Sequence, residues 1–351
     1  MIDLQLYEYV LPLKRPFRIG KTDMKCRRGF LICTFDGRFC GWGEASPLPG
    51  FSVDTSQDVL DQFHQFLSKG IANNENDWQR FLQIKEITAV SSPALRFGVE
   101  SALIDLRASQ QGLTPAILLG GNCEKIPNNG LAYGDSAGEL VRQAARLAEE
   151  GYRVIKIKVG RLALADEIAA IKEIAAFNLQ LRLDANRLLP LDQAVDFARA
   201  VADLPIEYIE EPVDDPRDLP EFSRFSPIAP ALDESLLMPE GEHLAAAAWI
   251  LKPGIHGGIK DLIACIARAR ERGILPVISS PLLSAVGLRT AAAVAAAFCP
   301  DTVMGLDTAS LLDRDFLSRP IDTKGGVLKL PELENSFHVN ESELTCPASS
   351  R

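Results

Sequence analysis

The chain lacks any apolar run long enough to cross a bilayer. Its most hydrophobic stretches, Leu244–Leu251 and Ala291–Phe298, fall well short of the roughly 20 residues a membrane helix needs. It also lacks a basic run, and its formal charge is −10, which argues against nucleic acid as a main partner. There is no CxxC pair. The seven cysteines (Cys26, Cys33, Cys40, Cys123, Cys265, Cys299, Cys346) are odd in number and scattered, so neither a disulfide framework nor a structural zinc site is indicated. Reduced thiols fit a cytoplasm, and the N-terminus MIDLQLYEYVLPLKRPF has no signal-peptide layout. Internal repeats and low-complexity segments are absent, and no exposed-face pattern assigns an oligomeric state.

What the chain does have is 351 residues, 47% of them hydrophobic. That is ample for a large core, either two domains or one barrel of roughly 200–250 residues with an addition. Residues 1–55 read as β-rich: Leu4–Leu11 alternates, Gly29–Phe35 and Phe39–Glu44 follow, and Asp36-Gly37 is a hairpin turn. Gly41-Trp-Gly-Glu-Ala-Ser-Pro-Leu-Pro-Gly-Phe-Ser52 is a shaped loop. Helices are expected at Gln57–Ser68, Trp78–Lys85 and Pro93–Gln110, closing an α+β unit near Leu113-Thr-Pro115.

From about residue 126 the pattern alternates strand and helix. Candidate strands are Ile126–Tyr133, Val154–Val159, Leu179–Asp184, Glu207–Glu210, Ala229–Asp233, Trp249–Lys252, Pro276–Ser279 and Val303–Asp307. Strands each followed by a helix or loop indicate an α/β fold with a parallel (β/α) barrel, an open doubly wound sheet being the alternative. Gly325–Pro331 is expected to return to the N-terminal unit, and the polar tail Asn340–Arg351 to fray.

The centre of this pattern is Gly151-Tyr-Arg-Val-Ile-Lys-Ile-Lys-Val-Gly160. Val154, Lys156 and Lys158 share one face and Ile155, Ile157 and Val159 the other. Either the lysines face water, or they are buried and need carboxylates or a metal site beside them. The other strands end in Asp184 and Asn186, Glu210 and Glu211, Asp233 and Glu234, Lys252, Ser279 and Ser280, and Gly305 and Asp307. In a parallel barrel those C-terminal ends gather around one mouth, where active sites lie. Acids on neighbouring strands offer hard oxygen ligands suited to Mg²⁺. Strand alternation favours Glu210 over Glu211, and Asp233 is the more strand-like of Asp233 and Glu234. Asp184 and Asp233 are also candidate helix caps. His64, His243, His256 and His338 fall outside the set, which disfavours zinc. A lysine acting as base must be partly neutral, and a neighbouring ammonium such as Lys156 would lower the pKa of Lys158.

The motifs KIK at 156–158, DAN at 184–186, EEP at 210–212, DES at 233–235 and LKP at 251–253 resemble the muconate-lactonizing branch of the enolase superfamily, for which Lys bases with Mg²⁺ are the known pattern. Within it the chain is most similar to the o-succinylbenzoate synthase family, on GWGEASPLPGFS at 41–52, LRLDANR at 181–187, EYIEEP at 207–212, ALDESL at 231–236, ILKPG at 250–254, VISSP at 277–281 and GLDT at 305–308. The resemblance implies a TIM-type barrel at 114–312, an N-terminal α+β capping domain at 1–113, and a C-terminal segment, 313–351, returning to the cap. It implies dehydration of 2-succinyl-6-hydroxy-2,4-cyclohexadiene-1-carboxylate, with Lys158 as base, Lys252 opposite, and Asp184, Glu210 and Asp233 holding one Mg²⁺ for which Mn²⁺ can substitute. Ser279 and Gly305 would contact the succinyl arm, the Gly50–Ser52 loop would act as a lid, and Asn186 would stand one layer behind the metal ligands.

Arg182, on the Asp184 face, either orients Lys158 and substrate or is an inward structural residue. Arg15 and Arg18 either meet substrate carboxylates or are solvated. The competing readings are an N-succinylamino acid racemase or dipeptide epimerase, which would use both lysines, and a barrel that only binds a ligand. GEASPLPGFS and GLDT favour the synthase. The expected partner is a small carboxylate, with neither nucleic acid nor membrane.

Overall fold

The computed structural model describes residues 2–19, 22–69, 78–317, 321, 323–330, 339–340 and 344–349. The chain starts with three antiparallel strands, Asp3–Ile19 (β1), Thr22–Phe35 (β2) and Cys40–Ala45 (β3). The Asp36-Gly37 turn forms as expected: Asp36 Oδ1 accepts from the Arg38 and Phe39 amides at 2.9 and 2.8 Å, and Gly37 takes φ +97°. Helices Ser56–Lys69 (α1), Trp78–Phe81 (α2), Lys85–Thr88 (α3) and Pro93–Gln111 (α4) follow, then Pro115–Leu118 (α5). Ser92 caps α4 by accepting from Leu95 N, and Gly112 ends it at φ +65°. The Gly-Trp-Gly of β3 has a packing cause. A Cβ on Gly41 would lie 2.2 Å from Ala102 O, and one on Gly43 2.0 Å from Gly98 O, so α4 lies directly on the strand backbone.

After Lys125–Pro127 (β4), strand and helix alternate: Gly130–Ala132 (β5), Ala137–Glu149 (α6), Val154–Lys158 (β6), Leu164–Ala175 (α7), Gln180–Asp184 (β7), Leu191–Ala200 (α8), Ile206–Glu210 (β8), Leu219–Phe225 (α9), Pro230–Leu232 (β9), Ala248–Leu251 (β10), Ile259–Glu271 (α10), Leu275–Ile278 (β11) and Ala285–Phe298 (α11). Strands β5 to β11 form one parallel sheet in chain order. The sequence suggests eight full barrel strands, but the eighth is reduced to two parallel bridges, Met304 with Asn128 and Gly305 with Ser279. Those bridges join the two edges of the curled sheet. The expected first strand, Ile126–Tyr133, also splits, because Pro127 has no N–H to continue a ladder. Its first half turns out to pair with the C-terminal segment.

Two expectations for that segment are corrected. Val327–Lys329 (β13), preceded by Thr323–Lys324 (β12), pairs with β4 rather than with the cap; Pro331 lies outside the described residues. The strand that does return to the cap is Thr345–Ser349 (β14), antiparallel to β1, inside the tail expected to fray. An open strand edge recruits backbone whatever the side chains are.

Alternation along the barrel strands explains its layers. Ile155, Ile157, Leu181, Leu183 and Ile209 face the surrounding helices in the main core. Inward, Tyr208, Ala231, Ala248, Ile250 and Val277 pack as a floor. One inward step toward the strand ends come Glu210, Asp233, Lys252 and Ser279.

Cap and barrel are joined by buried polar contacts. Glu44 of β3 accepts from Ser284 N, Ser284 Oγ and Gly287 N at the start of α11, at 2.9, 2.6 and 3.0 Å. Arg289 of α11 pairs with Asp105 of α4. Glu100 of α4, 1% exposed, accepts from Lys260 N at the start of α10. Burial pushes the Glu100 carboxyl from 4.5 up to about 7. A folded-state value above the unfolded one means its contribution is fully present below pH 4.5 and is lost as pH rises through 7, on the order of 3 kcal/mol in all. Glu100→Gln should therefore melt like wild type near pH 4.5 and a few degrees higher at pH 8; identical melting curves at both pH values would rule out a buried titrating carboxyl at this interface.

Candidate active site at the barrel mouth

The polar strand ends converge on one cavity lined by Lys156, Lys158, Asn186, Lys252, Ser279, Ser280 and Gly305, with Leu48 and Phe51 of the cap loop above. Strand register makes this convergence. Lys158 lies beside Asp184, and Asp184 beside Glu210, on successive parallel strands. Lys158 Nζ donates to Asp184 Oδ2 and to Asn186 Oδ1, both at 2.6 Å. Lys156 Nζ lies 2.6 Å from Asp184 Oδ2 and donates to both Glu210 oxygens at 2.8 and 2.7 Å. Across the mouth Lys252 pairs with Asp233, its Nζ 4.6 Å from the centre of the Phe51 ring.

These groups titrate abnormally. Burial lowers the Lys158 pKa and the Lys156 charge lowers it further, against the pull of Asp184. For Lys156 burial is outweighed by Asp184 and Glu210, which raise it. Burial opposes the Asp184 charge, yet Lys156 and Lys158 hold it well below the usual range. Burial, then the charges of Asp184 and Asp233, push Glu210 up to about 8. Opposed shifts within one cavity are the mark of a site built for proton transfer.

Comparison with known proteins places the chain in a family. Residues 139–334 match the family model described as enolase C-terminal domain-like, and residues 1–106 match that described as MenC, N-terminal domain. The o-succinylbenzoate synthase of Salmonella arizonae is 33% identical over 321 residues, 89% of this chain and 92% of that protein. The chain belongs to the o-succinylbenzoate synthase family. It is an enzyme of this type, a lyase of the enolase superfamily. Among solved structures, the L-Ala-D/L-Glu epimerase of Bacillus subtilis has a TM-score of 0.82 at 25% identity, covering 93% of this chain and 95% of that one. The dipeptide epimerase of Cytophaga hutchinsonii, solved with Mg and a dipeptide, has a TM-score of 0.83 at 22% identity, covering 99% and 100%; it shares the fold.

The superfamily implies a divalent metal ion, and the donor set fits one. Asp184, Glu210 and Asp233 are hard oxygen donors on adjacent strand ends. Asp233 Oδ1 is buried with no hydrogen-bond partner, and Glu210 is held from ionising partly by its acidic neighbours. Among the described residues, however, no three acidic, histidine or cysteine side chains stand together as a ready cage. Ammonium groups occupy Asp184 Oδ2, both Glu210 oxygens and Asp233 Oδ2 and supply the positive charge, while Asp184 Oδ1 accepts from Asn186 N. An ion there would displace these contacts.

The structure relocates several residues. Ser279 and Gly305 line the cavity, their backbones bridged. Asn186 Oδ1 accepts from Lys158 Nζ at 2.6 Å, and its amide donates to Asp184 Oδ1 at 3.0 Å. The Ser52 hydroxyl is turned back onto its own loop, where Oγ accepts from Leu48 N at 2.8 Å, and Phe51 supplies the lid contact instead. Arg182 does not line the cavity: Nε donates to Glu207 at 2.6 Å and Nη1 to Asn129 and Val303 O, with the guanidinium over Tyr208. It is an inward structural residue of the floor. Arg15 stacks on Tyr133 and pairs with Glu139 in an outer cleft; the Arg18 side chain lies outside the described residues.

Two contributors escape the sequence. Glu211, at φ +43°, accepts from Asp233 N, Ser235 N and Arg187 Nε, tying three strand ends together. His256, set aside above as lying elsewhere, sits against the site: Nδ1 accepts from Lys252 N at 3.0 Å and Nε2 faces Asp233 O at 3.2 Å. Its signal was the spacing of four from Lys252, one turn of chain. If the acids hold an ion, millimolar Mg²⁺ should raise the thermal midpoint of wild type and not that of the Asp184→Asn/Glu210→Gln double variant; an unshifted wild type would remove the ion from this rim.

Proposed function

We propose that the protein dehydrates 2-succinyl-6-hydroxy-2,4-cyclohexadiene-1-carboxylate to 2-succinylbenzoate, in the cytoplasm and in menaquinone or phylloquinone biosynthesis. The observation carrying this reading is a pair of largely buried amines, Lys158 and Lys252, lining one cavity, one of them with a lowered pKa, in a chain of this family.

The neutral Lys158 amine takes the proton α to the ring carboxylate, and the released electron pair moves into that carboxylate. The C–O bond to the hydroxyl then breaks, and the Lys158 ammonium returns the proton so that water leaves. Lys252, still charged because Asp233 and Glu234 outweigh its burial, stabilises the negative charge from the opposite side. Lys156 keeps the Lys158 amine available. Asp184, Glu210 and Asp233 would hold Mg²⁺, which supplies fixed positive charge for the substrate carboxylate. Ser279 and Gly305 would receive the succinyl arm. Phe51 and Leu48 exclude water from above.

Incubation with the cyclohexadiene and Mg²⁺ should give the ultraviolet signature of the aromatic product, and EDTA should stop it. Lys158→Ala should lose on the order of 10²–10⁴-fold in kcat; full activity in that variant would refute the base assignment. Lys156 lowers the Lys158 pKa, so Lys156→Met should move the ascending limb of the kcat/KM pH profile to higher pH; a shift to lower pH would contradict the tuning role. Racemisation of N-succinylamino acids with α-deuterium exchange, without dehydration, would favour the isomerase reading instead.

A further inference from the structure

Arg27 of β2 is 1% exposed, lies in the cap, and takes no part in the chemistry above. Among the described residues its guanidinium hydrogen-bonds to backbone carbonyls. Nη2 donates to Ser46 O. Nη1 donates to Pro47 O at 2.6 Å and Arg28 O at 3.2 Å. Nε donates to Leu282 O at 3.2 Å. Ser46 and Pro47 begin the cap loop that carries Leu48 and Phe51. Leu282 follows Ser279, Ser280 and Pro281 at the end of β11. Leu48, Phe51, Pro281 and Leu282 all line the cavity. One cation therefore joins two adjoining parts of its wall, which belong to different parts of the fold.

The barrel-side wall is strained. Leu282 has φ +61°, a left-handed conformation that a residue other than glycine keeps only where its surroundings enforce it. Its side chain is 3% exposed. Arg27 holds its carbonyl, and Glu44 holds Ser284 and Gly287 just beyond. Glu44 also accepts from Ser46 Oγ at 2.8 Å. A fixed planar fork of donors suits several carbonyls at once, which a lysine cannot match.

We propose that Arg27 is a positioning residue that clamps the cap loop to the strained Leu282 turn and thereby sets the shape of the substrate cavity. Its kinetic consequence rests on the dehydration reading; its structural consequence does not. Loss of the clamp loosens both parts of the wall together, weakening substrate binding more than the proton transfer at Lys158.

Hydrogen exchange by mass spectrometry reads the first effect without substrate. Arg27→Met should speed exchange at least tenfold in segments 46–52 and 281–287 together, and Arg27→Lys, the milder variant, at least threefold. Unchanged exchange, or a change in one segment alone, would overturn the clamp. With the cyclohexadiene, Arg27→Met should raise KM at least tenfold while kcat falls less than threefold. Leu282→Gly removes the strain that Arg27 restrains. The KM increase caused by Arg27→Met should therefore shrink below threefold when Leu282→Gly is already present. An equal increase in both backgrounds would show that Arg27 acts elsewhere. If wild type fails to dehydrate the cyclohexadiene, the exchange result still decides the clamp.

Discussion

Three lysines and three acids are packed together at the mouth of the barrel, and most of the architecture serves to keep them there. An isolated ammonium or carboxylate removed from water costs several kcal/mol even after relaxation. Lys156, Lys158 and Lys252 are tolerated because Asp184, Glu210 and Asp233 stand opposite them. That pairing demands strict strand register. A slip of one residue in β7 would turn Asp184 outward, leaving Lys158 without its carboxylate and Lys156 with Glu210 alone. The apolar floor of Tyr208, Ala231, Ile250 and Val277 fixes that register from below, and Arg182 pins the floor to Asn129 and Val303 O.

The rim above is held by strain rather than by regular structure. Asn186, Arg187, Glu211 and Leu282 all take positive φ, and all lie just past strand ends. Each is restrained by polar contacts from another element: Arg187 by Glu211 and Ser235, Glu211 by the Asp233 and Ser235 amides, Leu282 by Arg27. Of the four, Asn186 and Leu282 line the cavity, and Arg187 and Glu211 tie the loops around it. Catalytic precision here depends on buried hydrogen bonds between neighbouring loops, so variants far from the substrate will alter turnover.

The cap participates in the same design. Glu44 and Glu100 satisfy the free amides at the starts of α11 and α10, joining the cap to the two helices that flank the Lys252 and Ser279 strands. Phe51 can therefore sit over Lys252 as part of the wall. A lid so anchored shields an amine from water and keeps local fields strong.

Local pattern alone determined much of this protein. Period-two alternation in VIKIK and LRLD, the polar residue closing each strand, and the Asp-Gly turn are properties of neighbouring residues, so the barrel and its five charged strand ends were legible. Tertiary structure decided the rest. Arg182 and Asp184 share a strand face, yet one feeds the floor and the other the rim, which depends on depth along the barrel. Phe51 rather than Ser52, His256 beneath Lys252, the eighth strand shrunk to two bridges, and a tail recruited by the open edge of β1 all arise from contacts between residues far apart in the chain. Their partners are set by which surfaces the folded strands and helices leave facing one another, and no periodicity in the sequence encodes that.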